Sequence, residues 1–447
     1  MAPNEFSRLG TWVRQSVTLR ILSIAFLIII LLIPLTLIQG LIRDREYRLE
    51  QATTDVSSTW SNAQQFAGPY ITIPYVVLLE TTDGEIHEQT RHLYLLPDSL
   101  IITGTVSPEI RHRGIYQVTV YRGDLHISGR FSPPQPELLN IDRSSLRWNE
   151  ASMSVGIPDL RGIAERVNLQ FGDTMQPFEP GLPTHDLHES GISTHLPISQ
   201  EWRGPIDYSF DLMLKGSGRI SFIPTGIETR VGLSADWPSP SFDGSFLPDS
   251  RNVTDEGFDA TWRVLQLNRD YPRQWIGASY ALNRYDFGVT LLLPVDHYRK
   301  SRRSADYALL IISLTFLVFF FLEIRQRKRV HPLQYLLVGL ALALFYALVL
   351  ALSEHWNFAG AYISAAVATI ALVTGYVGAV FKTRELTIML GGLLVLLFGF
   401  NYVLLQLEDY ALLVGSIGLF LVLAFVMMWS RNIDWYRLSE DPDDDSF

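Results

Sequence analysis

The first side chains with the chemistry of a metal hydrolase are His87, Glu88 and His92. A zinc-protease helix needs two histidines four residues apart on one face, with the glutamate as base. Here the histidines stand five apart, in a segment that alternates like a strand, so a solvated hairpin is expected. A second group is His185, Asp186, His188, Glu189 and His195. Imidazole and carboxylate suit several metals, but the setting is rich in Pro, Ser and His, and an exposed loop is the expectation. Asp255-Glu256 would serve glycoside hydrolysis only if the fold fixed a suitable carboxylate separation; solvated loop charges are expected instead. No Gly-x-Ser-x-Gly elbow, phosphate loop or dinucleotide fingerprint occurs. With 0 cysteines, thiol nucleophiles, disulfides, thioether-bound haem and iron–sulfur clusters are excluded. No catalytic, cofactor-binding or metal-binding residue is assigned.

The elements that would carry any such chemistry are set by an uneven apolar distribution. Of the 447 residues 48% are hydrophobic, concentrated near the N-terminus and in the last third. The runs there are long enough to cross a bilayer. One runs from Ile21 to Ile42, with Pro34 inside it. It exceeds the h-region of a signal peptide and no small-x-small cleavage site follows, so an uncleaved signal anchor is expected. Five more spans are expected at about 304–323, 332–353, 358–381, 386–405 and 410–430, each near the ~20 residues a crossing needs. Charge inside a span is costly and usually functional. Glu323, Glu354 and His355 fall at helix ends, where solvation is cheap. Asn401 lies within a span, near its outer end. The span centres hold only mild polarity, such as Thr315, Tyr346 and Thr374, which disfavours ion-coupled transport. Ala361, Ala365, Ala368, Gly375 and Ala379 read as a helix-packing face.

Lysine and arginine in short loops set orientation. With the N-terminus inside, the inner segments hold all 11 basic residues found outside 43–303, and the short outer loops Ser353–Asn357 and Gln406–Asp409 hold none. The expected organisation is a cytoplasmic N-terminus (1–20), a first span (21–42), a periplasmic domain (43–303), spans two to six (304–430) and a cytoplasmic acidic tail (431–447). Trp356 outside and Trp429 and Trp435 inside fit the interfaces. The protein is thus expected in the bacterial inner membrane, in contact with the lipid bilayer.

The large insertion reads as β. Alternation marks Tyr70–Leu79, Arg91–Leu96, Tyr116–Tyr121, Leu125–Phe131, Tyr208–Leu214, Arg219–Ile223 and Phe287–Leu293. Turn signals stand between them at Pro97-Asp98, Arg122-Gly123-Asp124, Lys215–Gly218 and Pro224–Gly226. Such short strands imply one or two sandwiches. Residues 39–65 lack strand character and extend the first helix, and 132–206 give no clear pattern. No internal repeat is evident. The fold class is an α+β membrane protein: one N-terminal helix, an all-β sandwich-like domain and a five-helix bundle. Of the 36 basic and 46 acidic residues, 25 and 33 lie in the insertion, a net charge of −8 there and −10 overall. That excludes nucleic acid as a partner and makes anionic lipid a poor one.

Several stretches resemble one family: Gly68–Pro74, Arg113–Tyr116, Gly218–Pro224, Trp237–Phe242, His331–Gly339, Leu352–His355 and Arg431–Tyr436. In combination they are similar to the CreD family of bacterial inner-membrane proteins, the cell envelope integrity proteins. The resemblance covers nearly the whole length. It implies an N-terminal anchor, a periplasmic domain and a C-terminal bundle, with a role in envelope maintenance under a two-component sensor system and tolerance to certain colicins. It carries over no catalytic residues, and the acidic tail departs from the pattern.

The function expected is a non-enzymatic envelope protein that binds a periplasmic protein or envelope component. The alternatives are a transporter or lipid-handling protein, and a periplasmic enzyme. Glu354 and His355, beside Trp356, are the candidate interaction residues. They are either an interfacial turn in water or a contact of the bundle with the β domain or a partner. In the second case carboxylate and imidazole pair more strongly as histidine protonates near ~6.5.

Overall fold

The computed structural model describes residues 17–80, 86–293, 297–326, 330–407 and 410–431. The chain forms two compact units, Met1–Arg48 with Val295–Phe447, and Leu49–Pro294. Each has its own hydrophobic core.

The helices are α1 (Val17–Trp60), α2 (His297–Asp306), α3 (Ala308–Gln326), α4 (Pro332–Ser353), α5 (Phe358–Phe381), α6 (Arg384–Gln406) and α7 (Ala411–Ser430). Among the described residues six helical stretches are long and apolar enough to cross a membrane. The second of them, His297–Phe321, joins α2 and α3 and begins earlier than residue 304. α1 runs unbroken through Pro34 and continues to Trp60, as expected where bilayer and neighbours leave no alternative to helix.

Local chemistry fixes the helix ends. His331 caps α4: its ring nitrogen accepts from the Leu333 amide at 3.2 Å, and Gln334 accepts from the His331 amide at 3.1 Å. Pro332 occupies the first turn, where no amide donor is missed. Asn357 caps α5 through the Gly360 amide at 2.7 Å. Arg303 donates to the carbonyls of Leu404 and Leu407 at the end of α6, at 3.4 and 3.2 Å. Packing is closest at Gly339, where a Cβ would come within 2.2 Å of Leu31 and 2.8 Å of Phe316. The core joins Leu27, Leu31 and Leu35 of α1 to Phe316, Leu342, Phe345, Tyr362, Val373 and Phe398. α7 is largely uncovered, with Leu412, Phe420, Leu421 and Met428 exposed.

The strands of the second unit are β1 (Gln64–Glu80), β2 (Ile86–Leu95), β3 (Ser99–Arg113), β4 (Tyr116–Phe131), β5 (Ser152–Gly156), β6 (Asn168–Phe171), β7 (Thr174–Pro177), β8 (Glu179–Pro180), β9 (Gly191–His195), β10 (Ile206–Ser217), β11 (Arg219–Ile223), β12 (Glu228–Ala235), β13 (Pro240–Gly244), β14 (Ser250–Val253), β15 (Phe258–Leu265), β16 (Gln274–Ile276) and β17 (Phe287–Leu291). They make two sheets. The first runs β13-β17-β11-β1-β5-β9-β8, with β2 on β1 and β16 on β2. The second runs β14-β15-β12-β3-β4-β10-β6-β7. Their inner faces interdigitate as a sandwich: Phe66 lies 6.4 Å from Phe210, and Trp262 lies 5.8 Å from Phe287. Alternation is clearest in β15, which buries Phe258, Ala260, Trp262 and Val264 and exposes the residues between them.

One strand differs from expectation. Arg122-Gly123-Asp124 is not a turn; β4 is continuous from Tyr116 to Phe131. Both of its edges are hydrogen-bonded, to β3 and to β10, so pairing overrides the local turn signal. Both faces of β4 are covered from Val118 to Tyr121, and beyond Gly123 one face remains buried, that of Leu125, Ile127 and Phe131. The unclear stretch 132–206 consists of single 3-10 turns and the short strands β5 to β9.

Candidate functional site

The helical unit concentrates its charge in two layers, both anchored on α1. In the first, Arg20 Nη1 lies 3.6 Å from Glu323 Oε1, and the Tyr335 hydroxyl donates to Glu323 Oε2 at 3.0 Å. Glu323 is 5% exposed, so its position at a helix end does not place it in water. One carboxylate oxygen thus has a phenol hydrogen bond, and the other has an arginine at ion-pair distance only. In the second layer, Arg45 Nε lies 3.1 Å from Glu354 Oε1, and Arg302 Nη1 lies 3.3 Å from Glu46 Oε2. Arg20 and Arg45 are 25 positions apart on one helix, about 38 Å at 1.5 Å per residue. That brackets a ~30 Å hydrocarbon core.

Glu354 therefore turns to Arg45, while the His355 and Trp356 side chains are exposed in the turn between α4 and α5. Between the layers lies an uncharged polar cluster. Asn401 Nδ2 donates to Ser304 Oγ at 3.2 Å and to the Tyr362 hydroxyl at 3.1 Å. Tyr362 donates onward to the Phe398 carbonyl at 2.8 Å. Asn401 is 2% exposed; it is a buried hydrogen-bond hub that ties α2, α5 and α6.

In the β unit a groove of about 680 Å³ opens on the outer face of the second sheet. Thr103, Thr105, Ser234 and Thr261 supply hydroxyls, and Gly232 leaves its backbone open. Asp124, Glu165, Asp211 and Asp259 face Arg166 and His126, and His126 Nδ1 lies 2.7 Å from Asp211 Oδ1. The floor is acidic and hydroxyl-rich.

The other sequence-flagged residues lie on β2, in and before β9, and between β14 and β15. His87 is exposed on β2 opposite Leu79, while the connection 81–85 lies outside the described residues. His92 Nδ1 approaches Asp186 Oδ2 at 3.9 Å, and the Tyr94 hydroxyl donates to the same oxygen at 2.7 Å. Burial pushes the Tyr94 hydroxyl well above the usual phenol range. His188 packs on Tyr70, ring centres 5.9 Å apart, and burial lowers it to about 4. His185, Glu189 and His195 are exposed. Among the described residues no three metal-ligating side chains converge. Asp255 and Glu256 are exposed between β14 and β15.

A charge-assisted junction follows α1. Asp159 accepts from Arg161 Nε and Nη2 at 2.9 and 2.7 Å and from the Asn62 amide at 3.0 Å. These bonds, with the Arg161 pair first, hold it at about 2. Arg161 also donates to the Ser58 carbonyl, capping the end of α1. Composition gave no sign of the Asp159 junction. Arg20 and Arg45 are visible in the sequence as charges flanking the first span, but their carboxylate partners Glu323 and Glu354 are not.

The family profile described as "Inner membrane protein CreD" matches residues 16–436. The "Inner membrane protein CreD" of Escherichia coli (strain K12) is 34% identical over 420 residues, covering 92% of each chain. A crystal structure of an M1 zinc metallopeptidase from Deinococcus radiodurans, bound to a Tyr-Ser-Ala substrate, is 10% identical over 48% of this chain and 53% of that one. Its TM-score of 0.17 carries no argument about fold or activity. With the family's sequence pattern matched along nearly its whole length, this chain belongs to the CreD family of inner membrane proteins.

Proposed function

We propose that the protein is a non-enzymatic component of envelope integrity that stands in the inner membrane with both termini in the cytoplasm. On this reading the β unit faces the periplasm and binds a periplasmic protein or envelope component there. The observation that carries the reading is the groove on the outer sheet face. Its four carboxylates outnumber Arg166 and His126, and its hydroxyl rows and open glycine backbone suit a cationic or hydroxyl-rich partner. The short-loop arginine bias supports the orientation.

The test is a crosslinked pull-down of the full chain from native membranes, beside the double variant Asp124→Lys with Asp211→Lys. Capture of one periplasmic partner by the wild type, weakened about tenfold or more by the charge reversals, supports the reading. Equal capture by both removes the groove from it. Co-purification of lipid or solute with no envelope partner would favour transport or lipid handling by the bundle.

A further inference from the structure

The charged layer built on Arg20 borders a half-open cavity of about 520 Å³ whose lining includes Arg20, Ser23, Ile24, Leu27, Glu323, His331 and Tyr335. Three features of it point to a ligand. The first is unspent bonding capacity. Glu323 is nearly fully buried, yet among the described residues Oε1 has only Arg20, at 3.6 Å, beyond a good hydrogen bond. Arg20 in turn has no closer anionic partner among them. A buried carboxylate oxygen and a guanidinium so loosely engaged leave room for a cation on one and an anion on the other.

The second is the gradient along the cavity. Arg20, Glu323, His331 and Tyr335 stand where α1 and α4 begin and α3 ends, whereas Ile24 and Leu27 lie deeper in the span. From Arg20 to Leu27 is about 10 Å along the helix. The cavity is polar at its mouth and apolar in its depth, the profile of an amphiphile entering from the bilayer surface. The third is the sign of the charges. An anionic headgroup satisfies Arg20 but places its charge near Glu323. A quaternary ammonium has no N–H to donate to Oε1.

We propose that this cavity binds a phospholipid whose headgroup joins a phosphate to a primary ammonium, of the phosphatidylethanolamine class. Arg20 holds the phosphate, Glu323 Oε1 accepts from the ammonium, and an acyl chain lies along Ile24 and Leu27. Tyr335 fixes the carboxylate from behind through Oε2. The proposal is independent of what the β unit binds.

The test is native mass spectrometry of the full-length protein equilibrated with equal amounts of dioleoyl phosphatidylethanolamine, phosphatidylglycerol and phosphatidylcholine. One charge-assisted hydrogen bond at a buried site is worth about tenfold in affinity. The wild type should retain one phosphatidylethanolamine per chain about tenfold over the other two lipids. Glu323→Gln keeps an acceptor for Tyr335 and should abolish that preference. Ser23→Trp fills the cavity and should release lipid whatever its head, so it decides the matter if Glu323→Gln fails to fold. Soluble phosphoethanolamine, which has the head but no chains, should not displace the lipid. Equal retention of the three lipids overturns the proposal. So does a preference that survives both variants, or displacement by phosphoethanolamine.

Discussion

His188 is held neutral by burial against Tyr70 and Gly156, with its folded value lowered to about 4 from 6.5. Its folded value lies below the unfolded one, so protons bind the unfolded chain preferentially between those values. Stability is fully present above about 6.5, falls as pH drops toward 4, and levels off below. The loss attributable to this ring is about 3 kcal/mol at most. Denaturant titrations from pH 7 to 4 should show that His188→Phe removes most of that slope in the β unit; an unchanged slope would place the acid sensitivity elsewhere. Asp159 has the same sign in a more acidic window: its carboxylate is lowered to about 2, so its contribution is full above the ordinary carboxylate range and is lost as pH falls through that range toward 2. In the turn between α4 and α5, Glu354 and His355 separate by environment, one paired with Arg45 and one exposed. His355→Ala should leave protein level unchanged and, if the turn contacts a partner, lower envelope-stress tolerance. Full complementation of a deletion strain by that variant would reduce the turn to a connection.

The apolar helices were legible because a span must satisfy its own backbone and so advertises its length in sequence. His331–Gly339, conspicuous as a motif, resolves into two physical roles. His331, Pro332 and Gln334 start α4, and Gly339 lets α1 approach it. Gly339→Leu should therefore cost about 1–3 kcal/mol by overpacking, read as a lowered melting temperature and reduced folded yield in detergent. An unaffected melt would mean the two helices part without penalty. The strands were only half legible. β3 runs through Gly104 and Pro108 and pairs with both β4 and β12. β4 contains a turn-like Gly123, yet both edges are paired. In a sheet, long-range partners set the backbone, and local signals yield to them. The charged layers were hidden for a different reason. Glu323 sits at a helix end, and nothing in its neighbours reveals that Tyr335 and Arg20 close over it. The sandwich has its own core, so residues 49–293 expressed alone should give β-type circular dichroism and one cooperative melt. A helical or molten product would count against an independent unit.

At the scale of the whole molecule, the chain pairs a bundle of apolar spans with a large all-β unit. The acidic groove can meet an envelope partner only if the β unit lies across the membrane from the termini. The absence of cysteine in the sequence makes single-cysteine labelling clean. Thr105→Cys places a thiol in the groove, and Ser439→Cys places one in the acidic tail. Cells with a permeabilised outer membrane are treated with a membrane-impermeant maleimide. The account predicts that position 105 labels in intact spheroplasts and position 439 only after lysis. Labelling of position 105 only after lysis would contradict it.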